Sequence, residues 1–228
     1  YAKCGALGKV HKLFQMLPVR NTVSWNTLIT GYVGNGYADH ALTCFKAMQE
    51  DGMFPDTVTL TFILKACAMV GSMVDGQEIH VEIARKALLE RDVMIGSALV
   101  SMYAKCGCTT KAQEVFDCLP TRDIVSWNAV VTAYARQGQS ESVFHLFNEI
   151  IRNGIQPNQI TFLGVLSTCS HDGLVEVIQI YFGAMESFCG FTPEISHFNC
   201  MFDAFARAGQ FDEVVLAMQN MPLQPNLS

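Results

Sequence analysis

An all-α solenoid of stacked helical pairs is the fold this sequence predicts, and three observations predict it. The chain repeats itself at a fixed offset of 102 residues, apolar residues recur at helical spacing throughout, and glycine or proline breaks that spacing at short intervals. The offset is plainest in "RNTVSWNTLITGY" (Arg20–Tyr32) and "RDIVSWNAVVTAY" (Arg122–Tyr134), which hold the chain's only two tryptophans, Trp25 and Trp127. It also links Leu17–Pro18 to Leu119–Pro120, Phe45 to Phe147, Pro55 to Pro157, Cys67 to Cys169 and Gly71 to Gly173. Such a period is too long for one supersecondary unit, so it must divide further.

The division falls at recurrent dipeptides. Pro55–Asp56, Arg91–Asp92 and Arg122–Asp123 close units 22–56, 57–92 and 93–123, and the cycle restarts as 124–158, 159–194 and 195–226. Residues 1–21 read as the tail of an earlier short unit, so the chain reads as a piece of a longer protein. Each unit predicts two helices. In 22–56, Trp25, Leu28, Ile29 and Tyr32 fall at i, i+3, i+4 and i+7, one face of a helix that Gly34 and Gly36 stop. Ala38, Ala41, Leu42, Phe45 and Met48 make the second stripe, which Gly52 ends, and Pro55 forbids continuation. The later units repeat this plan: "LTFILKACAMVG" with "DGQEIHVEIARKALL", "IGSALVSMYAKCG" with "TKAQEVFDCL", and their counterparts 102 residues on. No single pair can bury its own apolar stripe. Stacked neighbours share one core, and the first helix of each pair lines the inner face. Phe45, Phe116 and Phe147 read as packing residues.

Composition narrows the functional classes. With 50% hydrophobic and 16% charged residues, the chain can bury a substantial core. No apolar run approaches a membrane span. Nine cysteines show no disulfide-framework spacing, and the repeat-equivalent Cys4 and Cys106, and Cys67 and Cys169, fall in helical patterns, which points to buried free thiols and a reducing compartment. A net charge of −6 argues against generic electrostatic binding to nucleic acid, though not against binding through base edges and stacking. Arg20, Lys46, Lys65, Lys86, Lys105, Lys111, Arg122, Arg136 and Arg207 can still form locally positive stripes.

The units resemble pentatricopeptide repeats, in the plant arrangement where P-, L- and S-type motifs alternate (PLS class). "VSWNTLITGYVGNGYADHALTCFKAMQEDGMFPD" is similar to the P-type motif, "TFILKACAMVGSMVDGQEIH" to the L-type and "SALVSMYAKCGCTTKAQEVFDCLPTRD" to the S-type. On this reading 1–21 is a partial S-type repeat, 22–56 and 124–158 are P-type, 57–92 and 159–194 L-type, and 93–123 and 195–226 S-type. The last two resemble the motifs that precede the family's C-terminal extension. Tetratricopeptide repeats also pair helices, but at a constant length near 34.

The resemblance implies a right-handed α-solenoid that binds single-stranded RNA at one base per repeat. In the family, the fifth and last residues of a repeat read the base and the second, usually aliphatic, wedges it. Carried over, the reading pairs are Asn26 with Asp56, Thr61 with Asp92, Ser97 with Asp123, Asn128 with Asn158, and Asn199 with Asn226. Leu163 with Glu194 departs from the pattern, because leucine cannot hydrogen-bond a base. The wedges are Val23, Val58, Met94, Val125 and Ile160, while the last repeat has Ser196 there. A carboxylate accepts only, so a terminal Asp favours uracil or guanine, which present a ring N–H; a terminal Asn suits cytosine or adenine. The expected order, 5′ to 3′, is U, unread or G, G, C or U, unread, C or U. For each polar residue taken singly, a solvated helix start is the simpler reading; their recurrence at matching positions favours a binding stripe.

No enzyme chemistry is expected in these repeats. "HVE" at His80–Glu82 matches the first half of a cytidine deaminase zinc signature, but the P-C-x-x-C half is absent and His80 falls mid-helix. No phosphate loop or nucleophile elbow occurs. The resemblance implies a specificity factor for organellar RNA processing, foremost C-to-U editing, in mitochondrion or chloroplast. Its partners would be single-stranded RNA and either accessory editing factors or a deaminase-bearing protein, with no cofactor, metal, membrane or small-molecule substrate. A solenoid scaffold for proteins is the alternative, and splicing or transcript stability is another use of the same readout.

Overall fold

The computed structural model describes residues 7–219, and the described residues form thirteen α-helices with no strand. They group into two compact units, Tyr1–Val130 and Val131–Ser228, divided inside α8. The first unit holds α1 (Leu7–Gln15), α2 (Thr22–Gly34), α3 (Ala38–Glu50), α4 (Thr57–Val70), α5 (Met73–Arg85), α6 (Val93–Lys105), α7 (Thr109–Cys118) and the start of α8 (Ile124–Arg136). The second holds the rest of α8, α9 (Ser140–Arg152), α10 (Gln159–Asp172), α11 (Val175–Cys189), α12 (Ile195–Arg207) and α13 (Phe211–Gln219).

Local sequence explains the helix starts. Asn21, Asp56 and Asn158 each cap the helix that follows, and Ser24, Thr59 and Thr161 return a side-chain bond to the cap's own amide. Two otherwise orphaned amides are thereby satisfied at each start. The ends of α4 and α10 are equally local. Gly71 and Gly173, 102 residues apart, cap them at φ 72° and 68°, in the left-handed region that a side chain would strain.

Packing follows the apolar stripes. In the first unit α2, α4 and α6 lie side by side as one layer, and α3, α5 and α7 form the other. In the second, α10 and α12 pack side by side, with α9, α11 and α13 against them. Leu60, Ile63, Leu64 and Cys67 of α4 and Ile95, Leu99 and Val100 of α6 are fully buried. Each such aliphatic side chain contributes about 1.5–3 kcal/mol. The two tryptophans sit in matching surroundings. Trp25 meets Phe14 edge-on at 4.5 Å with Arg20 over the phenyl ring, and Trp127 meets Phe116 at 4.7 Å with Arg122 over it. Both indole N–H groups are buried without a hydrogen-bond partner, so packing alone holds these rings. Phe45, Phe116 and Phe147 are buried, as their spacing predicts. Among the described residues, no helix is long and apolar enough to cross a membrane.

Candidate nucleic-acid interface

The first helices of successive pairs carry the candidate readers, and the caps between pairs carry their partners. Asn26, the fifth residue of α2, directs Nδ2 at both carboxylate oxygens of Asp56, at 3.0 and 2.9 Å. Asp56 is itself the cap of α4, with Oδ1 accepting from the Thr59 amide at 2.8 Å. Burial works against its charge, but the Thr59 amide, the Asn26 side chain and the Val58 amide together hold its carboxyl below the ordinary value. Ser97 repeats the geometry one layer on: its hydroxyl donates to Asp123 Oδ1 at 2.6 Å, and Asp123 also receives the Ser126 amide at 2.9 Å.

The remaining candidates are placed differently. Thr61 bonds back to the Thr57 carbonyl of its own helix, and Asp92 accepts from the Met94 and Ile95 amides. No hydrogen bond joins Thr61 to Asp92. Asn128 is buried, and Asn158 caps α10 through the Ile160 and Thr161 amides. Leu163 is half-buried and Asn199 exposed, while Asn226 lies outside the described residues. Glu194 donates its amide to His197 Nδ1, and His197 Nε2 in turn donates to the Gln159 carbonyl. Asp56, Asp92, Asp123 and Asn158 are therefore helix starts as well as candidate readers.

The wedge positions share one environment. Val23, Val58, Met94, Val125 and Ile160 are exposed to between 44% and 72%, against near-zero exposure for the aliphatic residues of the same helices that face the core. An apolar side chain held at a matching exposed position in each repeat can cover the face of a base.

A groove of about 380 Å³ gathers several candidates. Thr61, Met94, Ser97, Asp123 and Val125 line it, together with Phe62, Lys65 and Lys105, which sequence reasoning did not place beside them. The positive stripe is narrower than the sequence suggests. Arg20, Lys46, Lys86, Lys111, Arg122 and Arg207 each lie within ion-pair distance of a neighbouring carboxylate. Of the nine cations named above, Lys65, Lys105 and Arg136 alone have no carboxylate partner among the described residues. Two of these three are in the groove. Helical i, i+3 and i, i+4 neighbours account for several of the neutralised charges. His80 has a packing contact: Nδ1 meets the Tyr103 hydroxyl at 2.8 Å. No three His, Cys, Asp or Glu side chains among the described residues are grouped to hold a metal.

Comparisons with known proteins identify the repeats that carry these residues. A family model described as "PPR repeat family" matches residues 20–69 and 122–171, and one described as "PPR repeat" matches 97–124 and 196–223. A pentatricopeptide repeat-containing protein of Arabidopsis thaliana is 41% identical over 99% of this chain and 27% of its own length. Two others from the same plant are CRR2, named chloroplastic, and one named mitochondrial. They are 37% and 35% identical, each over 99% of this chain, and are covered to 34% and 36% of their own lengths. The chain thus spans about a third of these relatives. Among solved structures, PPR10 in complex with an 18-nt psaJ RNA element superposes at a TM-score of 0.80, with 19% identity over 97% of this chain and 33% of that one; PPR10 is from maize.

Proposed function

Because the chain belongs to the pentatricopeptide repeat family, we propose that it binds single-stranded RNA and that the fifth and last residues of successive repeats read the bases. The observation that carries this reading is the groove where Ser97 and Asp123, bonded to each other, meet the exposed wedges Met94 and Val125 and the unpaired cations Lys65 and Lys105. Edge recognition, base stacking and phosphate attraction are thereby offered side by side. A peptide scaffold has no need of a polar pair flanked by apolar wedges at matching positions. PPR10, whose fold this chain shares, was crystallised with an 18-nt RNA element, which supports the same ligand class.

The PLS alternation carries the reading further. The chain acts as a specificity factor in organellar RNA processing, foremost C-to-U editing, and the chemistry comes from outside these repeats. Relatives named chloroplastic and mitochondrial support an organellar site of action. The test is titration of the purified chain with RNAs carrying the order U, G, G, C, N, C against scrambled RNAs of equal composition. Tighter binding to the ordered RNA is expected, and equal binding to both rejects sequence reading.

A further inference from the structure

Beneath the Asn26–Asp56 pair lies a hydroxyl that takes no part in the reading assignments. Thr59, third residue of the next repeat, is fully buried, and its Oγ1 lies 2.5 Å from Asn26 Oδ1 and 2.9 Å from Asp56 Oδ1. The hydroxyl has one proton to donate, and the shorter contact is to Asn26. Asp56 does not depend on that proton, because the Thr59 amide already holds its Oδ1. Asn26 does depend on it. Its Nδ2 must face the carboxylate, an acceptor only, so Oδ1 is left on the opposite edge of the amide, where Thr59 is the donor that meets it.

We propose that Thr59 is a further specificity-determining residue: a positioning residue whose buried hydroxyl sets the orientation in which Asn26 meets a base. The inference rests on base reading by Asn26 and Asp56. Two other layers fit its chemistry. Ser97, itself a hydroxyl, donates its own proton to Asp123 and leaves no amide edge to be met; there the third residue, Ser126, turns its hydroxyl back to the Asp123 carbonyl. After the Thr61–Asp92 position the third residue is Ile95, which has no hydroxyl, and that pair is not joined.

The experiment measures affinity of the purified chain for four RNAs that differ only at the first nucleotide of the order U, G, G, C, N, C, with wild type, Thr59→Val and Thr59→Ser. Valine keeps the buried volume and removes the hydroxyl; serine keeps the hydroxyl. Wild type and Thr59→Ser are expected to favour U, and Thr59→Val to lose that selectivity by about fivefold, the worth of one net hydrogen bond, with selectivity at the third nucleotide unchanged. If Thr59→Val keeps its selectivity, or weakens all four RNAs equally, the positioning role is wrong while base reading stands. If wild type itself makes no distinction, base reading falls and the positioning role with it. Should Thr59→Val lose its helical circular dichroism, Thr59→Cys, a weak donor of similar size, takes its place under the same criteria.

Discussion

Asn26 and Asp56 stand 30 residues apart in sequence, yet the amide of one donates to both carboxylate oxygens of the other. The pair is assembled before any base arrives, so a ligand meets a preset edge rather than two loose side chains. Exchanging the amide for a shorter hydroxyl should make room for a larger ring while Asp56 keeps accepting from a ring N–H. Asn26→Thr is expected to move preference at that nucleotide from U to G by about 1 kcal/mol. Affinities for four RNAs varied at that nucleotide check it, and unchanged ranking counts against a reading role for Asn26.

Asp56 also predicts a pH dependence. Its carboxyl is held below the ordinary value of 3.8 in the fold, so the ionised form is favoured more in the folded chain than in the unfolded one. That stability is fully present above pH 3.8 and is lost as the pH falls through the lowered value. Asp56→Asn should therefore melt below wild type near neutrality, with the gap closing as the pH falls below the ordinary carboxylate value. Melting curves across that window test it.

The narrow supply of unpaired cations sets the salt response. Affinity for RNA should fall with salt less steeply than the slope of a protein making about 6–10 phosphate contacts. Lys65→Gln and Lys105→Gln should each weaken all RNAs alike and lower the slope by about one. A base-dependent loss at either lysine would place it among the readers instead.

Close helix contact makes a stability prediction. A Cβ at Gly164 of α10 would lie 2.7 Å from Val131 Cγ1, a short, branched and buried side chain that cannot swing aside, whereas a Cβ at Gly183 of α11 meets nothing within 4 Å. Gly164→Ala should destabilise by about 1–3 kcal/mol, and Gly183→Ala should stabilise by up to about 1 kcal/mol. Urea denaturation separates the two.

Burial pushes the thiol of Cys44 up to about 11 and those of Cys67 and Cys169 up to about 12. The thiolate is the reactive form. Brief alkylation of the native chain should label the exposed Cys118 and leave these three unmodified until denaturant is added, as read by peptide mass spectrometry.

The helical pairs and the shared stripes were legible in the sequence because their causes are local. The i, i+3, i+4 recurrence around Trp25 and Trp127, and Gly71 and Gly173 at helix ends, act through neighbours a few residues away, and a 102-residue repetition displays each cause twice. The D-x-x-T start at Asp56–Thr59 has a local cause too, but nothing local reveals that Asn26 shares its hydroxyl. Tertiary structure decided which candidate readers pair, since Ser97 reaches Asp123 whereas Thr61 turns to its own helix. It also decided which cations remain unpaired: Lys46 pairs with Asp75 of the next helical pair, while Lys65 meets no carboxylate. Both outcomes depend on ångström distances between helices that pack side by side, and composition and spacing along one strand of sequence carry no information about those distances.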